Sequence, residues 1–305
     1  MFFVPISELR GRNKFALMRF LCKYEFLGVQ FSAILKKNIS GSYAVYINEL
    51  CPQDLYGIFC IKKTVFHIFP FVKSGLETAL QPDFIDSFVD FYESEKFKNP
   101  VCINGTKNGT DLLLKCFEKI NFHPAQVNEY NLLKLEGKEF LLNLKKQSEQ
   151  SAKNEKFQII HCKKDMQNDE KLKLFELQKS YEQEEVVPEC FDFDEDFCRL
   201  RFFNLLRTQF VLALKNEENM FVAKCGTNAM GFKYVQLGGI FTQNKFRGRH
   251  YAKYLLQVLL FRLLKIRKSV VLFVKKQNIP ANKLYNSLSF KKISDYSIAY
   301  FKQNL

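Results

Sequence analysis

A chain of 305 residues, 47 % of them hydrophobic and 33 of them Phe, is long enough for two domains and can bury a sizeable core. No uncharged apolar run reaches the roughly eighteen residues a membrane helix needs. Charge at Glu8, Arg10 and Arg12 interrupts the N-terminus before a signal-peptide core forms, so a soluble, cytoplasmic protein is expected. The net charge of +14 is uneven: residues 231–305 hold about fifteen Lys/Arg against the single acid Asp295, whereas residues 151–230 are slightly acidic.

The nine cysteines lie between Cys22 and Cys225 without a Cys-x-x-Cys pair, and the four histidines, His67, His123, His161 and His250, are equally scattered. No metal site is expected from such spacing, and reduced, mostly buried thiols are the simplest account.

In chain order, residues 7–37 show helical spacing in two stretches, with Phe15, Met18, Leu21 and Cys22 on one face. Residues 42–47 alternate as a strand does. Residues 57–61 and 64–70 flank Lys62-Lys63 as a hairpin. An amphipathic helix over 84–92, a short strand over 101–103 and a Gly turn over 105–109 follow. Thr110 or Asp111 then caps a helix to Ile120, and 127–135 is a strand. From Glu136 to Lys156, Lys, Glu, Gln and Ser dominate after Leu144, which reads as a linker.

The second half opens with a strand over 157–161 and a helix over 169–182. An acidic patch with Glu184, Glu185 and residues 191–196 follows, then a helix over 200–206. Strands over 210–214 and 221–225 and a turn over 226–231 come next. Residues 235–242 form an apolar β-prone run that meets the basic turn Lys245, Arg247, Gly248, Arg249. A helix pattern through Tyr251, Leu255, Val258 and Leu259 begins there. A strand that feeds its chain into a helix N-terminus leaves backbone N–H groups free, and such an end attracts phosphate. Residues 270–275 read as a buried strand and 278–290 as a short helix, with Pro280 near its start, where a missing N–H costs nothing.

The segment Arg247-Gly248-Arg249-His250-Tyr251-Ala252 resembles the acyl-CoA signature of the GCN5-related N-acetyltransferases, Gln/Arg-x-x-Gly-x-Gly/Ala, with His250 where the family has its first glycine. Its flanks, Gly-Gly-Ile-Phe-Thr before and Tyr-Ala-Lys-Tyr-Leu-Leu after, are similar to the FR47-like branch. Asn278-Ile-Pro-Ala-Asn282-Lys-Leu-Tyr285-Asn-Ser-Leu-Ser-Phe290 resembles the family's second block, with Ser289 at a usual glycine.

The resemblance implies an α/β protein of two GNAT-like units, each a mixed, mostly antiparallel central sheet flanked by helices. Residues 1–140 would be a degenerate support domain and 157–305 the N-acetyltransferase domain. It implies acetyl-CoA as acyl donor, held by the backbone of Gly239, Ile240, Phe241 and Thr242 along the arm and by Arg247, Gly248, Arg249, His250, Tyr251 and Ala252 at the pyrophosphate, with Asn278 and Asn282 beside the arm. Tyr285 would supply a proton to the departing sulfur. Glu184 and Glu185 would bind or deprotonate an amine acceptor of unknown identity. No metal and no membrane partner are expected, and nucleic acid is disfavoured because no binding module is legible. Two other readings stay open: a non-catalytic acyl-CoA-binding protein whose His250 and Ser289 have cost it turnover, and a nucleic-acid-associated protein using the basic C-terminal segment.

Overall fold

The protein is described from a computed structural model, which covers residues 1–37, 40–62, 64–69, 81–148, 157–266 and 268–302. The chain divides into two compact units. The first comprises Met1–Leu132 together with Ser294–Leu305, and the second comprises Leu133–Ile293.

In the first unit the order is β1 (Phe2–Pro5), α1 (Gly11–Tyr24), α2 (Val29–Lys37), β2 (Ser42–Tyr46), β3 (Leu55–Lys62), β4 (Val65–Phe69), α3 (Gln81–Ser94), β5 (Cys102–Thr106), α4 (Lys107–Lys119) and β6 (Gln126–Leu135), whose last residues enter the second unit. Strands β1 to β4 pair antiparallel in succession, and β4 pairs parallel with β5. Phe84, Phe88, Phe66 and Phe117 build the core between this sheet and α3 and α4, which is where much of the phenylalanine excess goes.

In the second unit, α5 (Gly137–Ser148) is followed by β7 (Gln158–Cys162), α6 (Asn168–Tyr181), α7 (Glu195–Thr208), β8 (Val211–Lys215), β9 (Phe221–Met230), β10 (Tyr234–Thr242), α8 (Tyr251–Lys265), β11 (Ser269–Lys275), α9 (Ile279–Ser287) and β12 (Phe290–Tyr300). Strands β7 to β10 pair antiparallel, and β10 pairs parallel with β11. From β1 and from β7 alike, the chain runs strand, two helices, three strands, helix, strand, helix, strand. The repeat expected from the sequence is thus present element by element.

Five expectations are corrected. The Gly turn over 105–109 does not exist: Gly105 lies in β5 opposite Ser297, and Gly109 is buried in the first turn of α4. The helix therefore starts at Lys107 after Thr106, and neither Thr110 nor Asp111 caps it. The turn over 226–231 is mostly strand, because β9 runs on to Met230. Gly226 is required there by space, since a Cβ would stand 2.7 Å from the Phe210 carbonyl oxygen.

The stretch read as linker is helical over Gly137–Ser148, with Phe140 and Leu144 against the core; its remainder, 149–156, and Pro70 lie outside the described residues. The expected division at 140–157 also differs from the observed one. The units part at Leu132/Leu133, and the last twelve residues return to the first unit.

That return is made by β12. Tyr296 to Tyr300 pair antiparallel with Thr106 to Cys102. The strand is pinned by buried polar groups: the Tyr296 hydroxyl donates to Asn104 Oδ1 at 3.0 Å, and Asn104 Oδ1 lies 2.8 Å from His67 Nδ1. Burial holds the His67 imidazole below its ordinary pKa, so it stays neutral and fits an uncharged network.

Candidate active site

Every residue proposed from the sequence for the site lies in the second unit. The centre is β10. It pairs with β11 from Tyr234↔Ser269 to Leu237↔Leu272, and its last five residues continue beyond that register. On its other side, Gly238 faces Gly226 and Phe241 faces Lys224, so β10 spends one extra residue there, a β-bulge at Gly239 and Ile240. Gly239 takes φ +63°, which a glycine adopts without strain. A bulge at this point takes backbone groups out of the ladder and makes them available to a ligand.

After Thr242 a short 3-10 turn over Asn244–Phe246 leads through Arg247, Gly248 and Arg249 to α8. His250 is the N-cap, at φ 62° and ψ 14°, and its side chain makes no capping bond. The first N–H groups of α8 are therefore left to other partners, at the positive end of a fifteen-residue helix. Ser289 has φ 64°. Both positions that depart from the family pattern thus keep the left-handed backbone that glycine would adopt. The two side chains serve different ends: His250 is exposed, while Ser289 is buried and its Oγ accepts from Asn143 Nδ2 at 3.1 Å, tying down α5.

A non-glycine residue in this conformation costs about 1 kcal/mol. Histidine at the cap should therefore be a local strain that glycine relieves. His250→Gly is expected to raise stability by up to about 1 kcal/mol in chemical denaturation, with the m-value unchanged. A lower stability would show that the imidazole holds the turn together.

The acids gather around this turn. Five residues over Glu182–Val186 form a π-type turn continuing α6, a feature often found at functional sites. From it Glu184 pairs with Arg247 at 2.5 Å, while the Arg247 Nε donates to the Thr242 carbonyl at 3.0 Å and its guanidinium lies 5.3 Å from the Phe241 ring centre. Glu185 accepts from Asn278 Nδ2 at 3.1 Å, and Asn278 Oδ1 caps α9 by accepting from Ala281 N. Tyr285, on α9, is buried with its ring edge-on to Phe290. Burial, aided by Tyr181 and Glu185, pushes its phenol well above the ordinary range, so it stays protonated.

Not every residue named from the sequence presents its side chain to this place. The Asn282 carboxamide donates to the backbone carbonyls of Lys275 and Asn278, and so shapes the turn between β11 and α9. Tyr251 is buried against Phe157, ring centres 4.7 Å apart, leaving only its backbone to a ligand. Arg249 leans over Phe246 at 5.8 Å. Phe241 is buried beside Tyr181.

Two residues escaped the sequence reading. Lys224, on β9, is buried, with Nζ donating to the Gly239 carbonyl at 2.9 Å. Tyr181, at the end of α6, has its ring centre 4.2 Å from the Lys224 Nζ. Lys224 is the only charge in a ten-residue strand whose first seven residues are buried without alternation, and that burial is what sets it apart from a solvated lysine. Tyr181 carried no signal that separates it from a core aromatic.

The residues fit an acyl-CoA. Gly248 has φ +78° with open space where a Cβ would stand, so the turn exposes its backbone beside two arginines. No group of His, Cys, Asp and Glu able to hold a metal occurs among the described residues, and none of their helices is long and apolar enough to cross a membrane.

The fold is shared with solved structures of GCN5-related acetyltransferases. An X-ray structure of a Drosophila protein is similar over 98 % of this chain and 97 % of its own (TM-score 0.61, 10 % identity). A tandem GNAT protein from the clavulanic acid biosynthesis pathway is similar over 100 % and 99 % (TM-score 0.53, 10 % identity). A GNAT-family acetyltransferase from Colwellia psychrerythraea is similar over 96 % and 98 % (TM-score 0.51, 12 % identity). At such identities the likeness concerns the fold. No curated protein sequence matches the chain. Residues 171–290 match the Acetyltransferase (GNAT) family, so the second unit carries a GNAT acetyltransferase domain.

Proposed function

We propose that the protein is an acetyl-CoA-dependent N-acyltransferase, of the FR47-like kind its sequence resembles, that moves an acetyl group directly to a primary amine within a ternary complex. The observation that supports this most is the bulge at Gly239 and Ile240 leading into the uncapped start of α8, with Tyr285 and Glu185 nearby on the same unit. The first unit, for which the sequence offers no Arg-x-x-Gly-x-Ala, serves as a support domain. A cytoplasmic location accords with substrates of this kind.

Acetyl-CoA, when bound, supplies a thioester-activated acyl group. Backbone N–H groups at the start of α8, with Arg247 and Arg249, would hold phosphate, and the Ile240 N–H at the bulge would donate to the acyl oxygen. An amine is nucleophilic only when neutral, and a free lysine-type amine has a pKa near 10.4. Glu185 would accept its proton and Tyr285 would hold one for the departing sulfur.

The test is a thermal titration with acetyl-CoA, CoA and a polyanion of matched charge, since a ligand stabilises by its affinity for the folded state. Acetyl-CoA and CoA are expected to raise the melting temperature and the polyanion to have no effect. Arg247→Gln should weaken acetyl-CoA binding by about tenfold, the worth of roughly 1.4 kcal/mol. Stabilisation by the polyanion alone would favour the nucleic-acid reading instead.

A further inference from the structure

Strand β9 contains one formal charge, Lys224, and that residue is only 3 % exposed. A buried ammonium must find partners or give up its proton. Its Nζ donates to the Gly239 carbonyl at 2.9 Å and lies 4.2 Å from the Tyr181 ring centre. Glu182, also buried, is the anion that favours its charge; Gln178 Nε2 donates to Glu182 Oε1 at 2.8 Å, and Arg201 stands 3.8 Å from Oε2. The remaining titratable groups that act on Lys224 are Cys162, Cys198 and Cys225. Burial pushes those thiols up, to about 12 for Cys162 and about 11 for Cys198, so they are neutral near pH 7. Gly239 makes room for the ammonium: a Cβ there would stand 3.0 Å from Nζ.

The Gly239 carbonyl and the Ile240 N–H belong to the same peptide group. No described peptide bond is cis, so this N–H points opposite to the carbonyl and away from Lys224. A cation bonded to the carbonyl oxygen withdraws electron density from the amide and strengthens the N–H as a donor, and low polarity around it magnifies the effect.

We propose that Lys224 is a positioning residue for acyl transfer, polarising the Gly239–Ile240 peptide so that the Ile240 N–H stabilises negative charge on the acyl oxygen. This rests on the acyltransferase reading. As the amine nitrogen bonds to the acyl carbon, the carbonyl π pair moves to oxygen. It returns when the C–S bond breaks, sulfur leaves with the bonding pair and takes a proton, and the amine nitrogen loses one. The burden on the donor is greatest at the midpoint of that sequence, where a preorganised dipole helps most.

Burial lowers the Lys224 pKa to about 8, so its charge, and with it the polarisation, is present at neutral pH and lost above pH 8. With the protein labelled by ¹⁵N-isoleucine and Ile240 assigned through Ile240→Val, the Ile240 amide proton should move upfield with a midpoint near pH 8 in the absence of any ligand. In Lys224→Met it should not titrate. With acetyl-CoA carrying ¹³C at the carbonyl, the bound resonance should lie downfield in the wild type and lose that shift in Lys224→Met, while acetyl-CoA affinity stays within about threefold and kcat falls about tenfold, less than deletion of a whole oxyanion donor costs. Lys224→Gln, which keeps a neutral donor, should fall between.

An Ile240 amide that titrates alike in both proteins, or a bound carbonyl resonance that does not differ between them, overturns the proposal. Should Lys224→Met fail to fold, a wild-type Ile240 amide that is flat through pH 8 overturns it by itself. If acetyl-CoA neither binds nor stabilises, the acyltransferase reading falls, and the ligand-free titration still decides whether Lys224 polarises this peptide.

Discussion

Tyr285→Phe is expected to lower acetylation of any accepted amine by at least about 100-fold while leaving acetyl-CoA affinity within about threefold of the wild type. The proton is needed only as the C–S bond breaks, so its loss harms the transition state and spares the ground state. Burial keeps this hydroxyl protonated at neutral pH, and Phe preserves the ring that packs against Phe290. A folding defect should therefore not obscure the result. Steady-state kinetics together with a calorimetric affinity check it. Turnover equal to the wild type would assign the proton to another group or to water. If instead the wild type acetylates no polyamine, amino acid, aminoglycoside or lysine peptide above the solution rate, the protein is an acyl-CoA sensor. The pairing of Arg247 with Glu184 and of Asn278 with Glu185 would then be its resting arrangement.

The second large effect concerns stability, and it crosses the whole length of the sequence. Ala299, near the end of the chain, is fully buried in the aromatic core of the first unit and pairs with Ile103 in β5. Ala299→Asp places a carboxyl among Phe117, Ile103 and Phe301 with no cation provided for it. An unpaired buried charge costs several kcal/mol even after its pKa shifts to neutralise it. We expect a loss of about 3–5 kcal/mol, a large part of the stability of an ordinary domain. Hydrogen exchange should speed up in β2 and β3, more than two hundred residues away in sequence. If protection in β2 and β3 is unchanged, the last strand does not complete the first unit's core.

Much of the candidate site was legible because its parts are local. The turn Arg247 to Ala252, the start of α8 and the α9 block are contiguous segments in which residue type dictates backbone form, and His250 and Ser289 keep that form despite losing glycine. What was not legible depends on distant partners. Residues 137–148 carry the composition of a linker, yet Phe140 and Leu144, one helical turn apart, decide their fate once a core lies beside them. Gly105 reads as a turn until Ser297 arrives to pair with it. Lys224 looks like a solvated lysine unless its strand is known to be covered on both faces. The doublet Glu184 and Glu185 reads as two equivalent solvated acids, and its split between Arg247 and Asn278 follows from packing that no spacing rule contains.

The return of Ser294–Leu305 to the first unit also sets a timetable for synthesis. Strand β5 and its partner in β12 are separated by about 190 residues, so the N-terminal sheet leaves the ribosome with one flank unsatisfied and waits for almost the entire remaining chain. At roughly 5–20 residues per second that delay is on the order of ten to forty seconds, during which unpaired amides and a phenylalanine-rich interior are open to non-native association. Nascent chains stalled before residue 294 should therefore engage holding chaperones through their N-terminal half, and release from them should coincide with emergence of the last strand rather than with completion of the second unit.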